Sequence, residues 1–327
     1  MKPKIFVTRK LRDEVVSKLR DQCEVFMWEE EDIPVPREVL LKEIEDVDGL
    51  YCLLTETIDK ELLNKGKNLK VVSNMAVGFN NIDVNYATEL GVAVTNTPGV
   101  LTETTADFTF SLLMTTARRI VEAEAFLKEG TWRTWSPMLL TGQDIYGSTL
   151  GIIGLGRIGE ALARRAVGFN MKVIYANPKR RSDLDEELGL EHVELEILLK
   201  SADFVSLLTP YTPETENLIS YDEINLMKEN AILINTSRGG IVNEEALFDA
   251  LKQKKIWGAG LDVFQQEPVS LDHPLLSLPN VVATPHIASA SINTRLKMAH
   301  LAAENLIEVL NNNNPKHLVN PEYTNNR

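Results

Sequence analysis

Thr149-Leu150-Gly151-Ile152-Ile153-Gly154-Leu155-Gly156-Arg157-Ile158-Gly159 is the stretch whose reading decides the fold. Its first five residues make an apolar run of strand length. The Gly-x-Gly-x-x-Gly turn follows at once, and the amphipathic segment 160–169 follows the turn. Strand, glycine turn and helix in that order form a dinucleotide fingerprint. Gly154 permits the tight turn, Gly156 lets backbone approach a pyrophosphate, and Gly159 lets the helix pack close to the strand. Leu155, Arg157 and Ile158 lie between them as further candidate cofactor contacts. The pyrophosphate would sit at the positive end of the helix dipole.

Outward from this turn, short apolar runs alternate with helix-length amphipathic segments. Strands are expected at 4–7, 25–28, 49–53, 71–73 and 92–95, then at 149–153, 172–176, 204–208, 231–235, 258–262 and 280–283. Alternation of this kind predicts parallel α/β sheets. The breaker Asn96-Thr97-Pro98-Gly99 precedes a long helical pattern, capped by Thr102 or Thr104 and stopped at Gly130. A final helix is expected over about 291–310. The fold class is therefore α/β: two doubly wound, Rossmann-like domains with parallel sheets, separated by an active-site cleft. Residues 1–99 with 288–327 form the substrate domain, and 100–287 the dinucleotide-binding domain. The first domain's opening turn, Val7-Thr8-Arg9, has no glycine, so the cofactor belongs to the second.

The chain has 327 residues and a formal net charge of -13. Such a field repels nucleic acid and anionic lipid, which excludes both as expected partners. No run approaches 18 apolar residues, so no membrane span is expected. The two cysteines, Cys23 and Cys52, sit among apolar neighbours and read as small buried hydrophobes. A cytoplasmic location fits. No metal-ligand spacing is present. The Asn-rich tail from Asn311 reads as a frayed end.

Cofactor choice turns on the end of the second strand of the fingerprint unit. Asn177 stands where an acidic residue would accept hydrogen bonds from the ribose of NAD, and Lys179, Arg180, Arg181 and Ser182 follow. Cations and a hydroxyl there favour a 2′-phosphate. NADP(H) is the expected cofactor, with NAD(H) possible.

Three later segments each follow an expected strand: Asn235-Thr236-Ser237-Arg238-Gly239-Gly240, Asp262-Val263-Phe264-Gln265-Gln266-Glu267-Pro268 and Thr284-Pro285-His286-Ile287-Ala288-Ser289. Arg238 offers a planar fork that matches a carboxylate. His286 can protonate a carbonyl oxygen. Glu267, within reach of His286, would favour the imidazolium. Taken singly, each has a bland reading as ion pair, turn or structural histidine.

With these motifs in order over nearly the whole chain, the sequence resembles the D-isomer-specific 2-hydroxyacid dehydrogenases, and within them the glyoxylate/hydroxypyruvate reductases. The segments 49–54 with Ile58-Asp59, and Trp132-Arg133-Thr134-Trp135-Ser136-Pro137, carry the closer likeness. The resemblance implies reduction of a small 2-oxo acid, with Arg238, Glu267 and His286 catalytic. It implies that Val77 and Gly78 offer amides to the substrate carboxylate, that Thr105 approaches the nicotinamide, and that Thr209, Pro210, Thr236, Asp262 and Ala288 line the cofactor. It implies that Trp135 reaches a partner subunit's site, the alternative being ordinary packing in a homodimer. Leu53 and Leu54 suggest an apolar wall against a short substrate. The loop 52–57 carries no Arg or Lys, which disfavours a phosphorylated substrate. A broader D-2-hydroxyacid dehydrogenase and a cofactor-sensing corepressor-like binding protein stand as the alternatives.

Overall fold

The computed structural model describes residues 2–326. The chain divides into two compact units, Met1–Leu101 with Ser291–Arg327, and Thr102–Ala290. The divisions fall two or three residues beyond the expected ones.

The first unit is a five-stranded sheet of β1 (Lys4–Val7), β2 (Glu24–Met27), β3 (Gly49–Cys52), β4 (Val71–Asn74) and β5 (Ala93–Thr95), in the order β2-β1-β3-β4-β5. Every pairing is parallel. Neighbouring strand residues feed opposite faces, as period-two side chains must. Phe6, Leu50 and Val72 enter one core, while Ile5, Val7, Tyr51 and Val71 enter the other with the Ile292–Leu310 helix. Each such aliphatic side chain, taken wholly out of water, contributes roughly 1.5–3 kcal/mol. Asp59, Asp83 and Ser291 cap the helices that follow them.

The second unit is a seven-stranded parallel sheet: β6 (Thr149–Ile153), β7 (Lys172–Ala176), β8 (Glu191–His192), β9 (Phe204–Leu207), β10 (Ile232–Asn235), β11 (Gly258–Leu261) and β12 (Val281–Ala283). Its order is β12-β11-β10-β9-β6-β7-β8. Both faces are covered by apolar cores, which is why its strands read as continuous hydrophobic runs. The order reverses between β6 and β9, and the carboxyl ends of the strands at such a reversal are where sheets of this kind take ligands.

Three expectations need correction. The segment 102–130 is two helices, Thr102–Ala117 and Ile120–Lys128, because Arg119 takes a left-handed conformation (φ 52°). Arg119 is fixed there by a bidentate pair with Glu122 and a bond to the Thr141 carbonyl. The tail is not frayed over its described part. Leu318 bridges Thr95, Asn320 is buried and bonds Val94 and Val92, and Tyr323 is buried. Strand β8 is the third: no strand was expected between 176 and 204, yet Glu191 and His192 pair with Ile174 and Tyr175. Cys23 and Cys52 are both buried, and burial pushes the Cys23 thiol up to about 11. Among the described residues no helix is long and apolar enough to cross a membrane.

Candidate active site

Because all seven strands of the second unit run the same way, the turns after β6, β9, β10, β11 and β12 share one edge. The fingerprint turn sits there. Gly154 has φ +97°, and a Cβ on it would meet the Thr209 amide nitrogen at 2.6 Å. Thr209 follows β9, so this is the reversal point of the sheet. A Cβ on Gly159 would meet the Gly154 carbonyl at 2.6 Å, which shows how closely the Arg157–Gly168 helix lies on the turn. A Cβ on Gly156 would meet nothing within 4 Å. Open space at the helix N-terminus, with backbone amides around it, fits a pyrophosphate. Thr105 Oγ1 is buried without a hydrogen-bond partner, and Thr236 shares a 2.7 Å bond with Thr109. The carbonyl of Thr209 accepts from Ser237, and that of Pro210 from Thr215. The residues present therefore fit a bound dinucleotide.

At the end of β7, Asn177 accepts from the Leu155 amide at 3.3 Å and donates to the Lys179 carbonyl at 2.7 Å. The expected cationic cluster is largely paired. Arg180 bonds Asp185 at 2.6 Å, and Arg181 bonds Asp183 and Glu160. Ser182 opens the Ser182–Leu188 helix. The acidic residues at 183 and 185 are the signal that weakens the reading of a bare cationic patch.

Glu267 and His286 come together as the pattern required. His286 Nδ1 lies 2.6 Å from Glu267 Oε2, and Glu267 Oε1 accepts from the Phe264 amide at 3.0 Å. Burial pushes the Glu267 carboxyl up. The hydrogen bond and charge of His286, the Phe264 amide and the charge of Arg238 outweigh it, so the carboxyl stays below its usual range. Arg238 feels the opposite balance: burial pulls its guanidinium down, and Glu267 partly restores it. The three groups thus share one electrostatic environment. Arg238 Nη1 also donates to the Ser237 carbonyl at 2.7 Å, and Asn235 donates to the Arg238 carbonyl.

The geometry is built by two packing devices. A Cβ on Gly239 would fall 1.9 Å from the Phe264 carbonyl carbon, so the Arg238 turn is pressed on the turn that carries Glu267. His286 takes φ +55°, uncommon for a side-chain-bearing residue. Asp262 holds it there. Its carbonyl accepts the His286 amide, and its carboxylate accepts from Thr284, Ile287 and Ala288 at 2.7–2.8 Å. Asp262 was expected to line the cofactor. It is wholly buried, and both its oxygens are engaged by the His286 turn. Burial raises its carboxyl, opposed by those same hydrogen bonds.

In the first unit, β1, β3, β4 and β5 also end at one edge. The carbonyls of Val77 and Gly78 accept from Asn96 and Asn74. The amides of Val77 and Gly78 have no partner among the described residues. Leu53 donates its amide to Glu56, a carboxylate only 4% exposed. Glu56 also accepts from Thr8 and Thr55 and pairs with Arg9 at 3.3 Å. The loop 52–57 therefore meets a cation after all, supplied from the turn after β1 and matched by Glu56. Sequence distance concealed it. Trp135, in the second unit, is 76% exposed.

The family model described as D-isomer specific 2-hydroxyacid dehydrogenase, NAD binding domain, matches residues 110–288. A glyoxylate reductase of Korarchaeum cryptofilum (strain OPF8) is 51% identical over 323 residues, covering 98% of this chain and 97% of its own length. A glyoxylate reductase of Thermococcus litoralis is 48% identical over 326 residues, with 98% of each chain covered. A solved structure from Thermus thermophilus superposes with TM-score 0.90 at 44% identity, over 97% of this chain and 99% of that one. An NADPH-dependent glyoxylate/hydroxypyruvate reductase of Sinorhizobium meliloti, solved with NADP and malonate, gives TM-score 0.85 at 33% identity, over 99% and 98%. This chain is an oxidoreductase and belongs to the D-isomer-specific 2-hydroxyacid dehydrogenase family.

Proposed function

We propose that the protein reduces glyoxylate to glycolate, and hydroxypyruvate to D-glycerate, using NADPH in preference to NADH. The observation that carries this is the 2.6 Å contact of Glu267 with His286 Nδ1 in the shared field of Arg238. The names of the relatives and the NADP-bound neighbour support the substrate and cofactor. The bound nicotinamide supplies hydride to the substrate's carbonyl carbon.

The chain's own residues do the rest. Arg238 binds the substrate carboxylate and polarises the adjacent carbonyl. A carboxylate can only accept, so Glu267 fixes the hydrogen of His286 on Nδ1 and leaves Nε2 to face the reaction. Nε2 then delivers a proton to the carbonyl oxygen, completing the hydroxyl. Gly154–Gly159, Thr105, Asn177, Lys179–Ser182, Thr209, Pro210, Thr236, His286 and Ala288 hold the cofactor, with Asp262 behind them. The unpartnered amides of Val77 and Gly78 take a carboxylate in the manner of a backbone nest.

The protein acts as a homodimer. The Ile120–Lys128 helix buries none of its residues, and Ile120, Val121, Leu127, Trp132, Trp135 and Met138 are all more than half exposed. An apolar stretch of that kind marks a protein interface. Steady-state kinetics with glyoxylate, hydroxypyruvate and pyruvate, each with NADH and NADPH, test the proposal. Glyoxylate with NADPH should give the highest kcat/KM. Efficient turnover only as NAD-linked oxidation of glycolate or glycerate would overturn it.

A further inference from the structure

Two consecutive amides in the turn after β11 are each held by a glutamate, and each glutamate holds a histidine with its other oxygen. The Phe264 amide donates to Glu267, which holds His286. The next amide, that of Gln265, donates to Glu244 Oε1 at 2.6 Å, and Glu244 Oε2 faces His273 Nε2 at 3.1 Å. Glu244 lies in the first turn of the Glu244–Lys252 helix, where the helix dipole favours a carboxylate. Asn243 caps that helix. The second pair is well covered: the side chains of Glu244 and His273 are 16% and 22% exposed. His273 packs edge-on to Phe264 with ring centroids 5.7 Å apart, and its Nδ1 is buried without a partner. Nε2 therefore makes the ring's polar contact, and it makes it to Glu244.

We infer that Glu244 and His273 are positioning residues for Glu267, and through it for His286, in the reaction proposed above. They act on the Gln265 peptide and on each other, not on a reacting atom. Glu244 ties the Gln265 peptide to the rigid start of a helix. Gly239 presses on the same peptide from the Arg238 side, its would-be Cβ falling 2.2 Å from the Gln265 nitrogen. The peptide that places Glu267 is thus fixed from two directions. A histidine on the far oxygen of Glu244 prevents that carboxylate from rotating away from Gln265.

The test compares Glu244→Ala, Glu244→Gln and His273→Phe with the wild-type protein in two measurements. One is steady-state kinetics with glyoxylate and NADPH. The other is the titration of the Glu267 side-chain carboxyl by 13C NMR, assigned by its loss in Glu267→Gln. Glu244→Ala should lower kcat by about tenfold or more, the scale of a small misplacement of a reacting group, with the KM for NADPH within about twofold. The Glu267 carboxyl should titrate at higher pH than in the wild type, because its contact with His286 loosens. Glu244→Gln keeps an acceptor oxygen for Gln265 and should recover most of both properties. Unchanged kcat and an unmoved Glu267 titration in Glu244→Ala would overturn the inference. Should that variant not fold, His273→Phe decides: it keeps the ring packing, loses Nε2, and should move both readouts in the same direction. If it moves neither, the inference fails. A wild-type protein inactive on glyoxylate would refute the proposed function, while the Glu267 titration would still decide this inference.

Discussion

His286 Nδ1 and Glu267 Oε2 lie 2.6 Å apart although 19 residues separate them in the chain. The carboxylate fixes which ring nitrogen carries hydrogen, and Asp262 fixes the backbone on which the ring sits. A positive φ at His286 costs conformational energy, of order 1–3 kcal/mol for a residue in a sparsely populated region. It is retained where three side-chain hydrogen bonds and one amide bond to Asp262 over-determine it.

The Glu267 pair makes stability depend on pH in a defined direction. Its carboxyl is held below the ordinary glutamate value of about 4.3. A depressed acid contributes stability that is present above its unfolded pKa and lost as pH falls through the folded value. Thermal melts of wild type and Glu267→Gln should therefore differ most near neutrality. The gap should close as the pH drops below about 4. A gap that stays constant over that range would contradict the ionic reading of the pair.

Gly239 has no room for a side chain. Its Cβ would overlap the Phe264–Gln265 peptide, and backbone cannot swing aside as a side-chain tip can. Gly239→Ala should lower the urea midpoint by the equivalent of about 1–3 kcal/mol, the usual range for overpacking. Activity should fall further than stability, because the shift separates Arg238 from Glu267. An alanine variant with the wild-type midpoint and rate would refute this contact.

Cofactor preference should respond to position 177 more than to position 180. Asn177→Asp places a carboxylate at the end of β7, opposing a 2′-phosphate and welcoming a ribose hydroxyl pair. The ratio of kcat/KM with NADPH to that with NADH should fall by about tenfold, corresponding to about 1.4 kcal/mol. Arg180→Ala should change it by less than about threefold, because Arg180 already pairs with Asp185. An unchanged ratio in Asn177→Asp would remove the argument for NADPH.

The apolar face of the Ile120–Lys128 helix should be an interface. Sedimentation should give the wild-type protein twice the chain mass of 36.6 kDa. Val121→Asp with Leu127→Asp should give a monomer whose circular dichroism is unchanged. A monomeric wild type would contradict the dimer.

Much of this was legible in the sequence for identifiable reasons. The strands of a sheet buried on both faces are continuous apolar runs, so 149–153 and 172–176 fall where they are expected. The fingerprint is local, and its three glycines state their backbone needs directly. What stayed hidden depends on contacts across long stretches of chain. Arg9 and Glu56 are 47 residues apart, and Glu244 and His273 are 29 apart, each in an ordinary polar setting. The break at Arg119 involves neither glycine nor proline, so no breaker residue announces it. The tail beyond Asn311 looked frayed because its composition is polar, yet Asn320 serves as a hydrogen-bonding plug against β5.

The central claim is that His286, backed by Glu267, gives the proton in the reduction. Its most direct test is kcat/KM for glyoxylate with NADPH in His286→Ala, beside NADPH affinity measured by nicotinamide fluorescence. His286→Ala should lose about 10²–10⁴-fold in kcat/KM, the contribution of a positioned acid, with NADPH affinity changed only a few-fold. A His286→Ala protein that keeps kcat/KM within about threefold of wild type would contradict it.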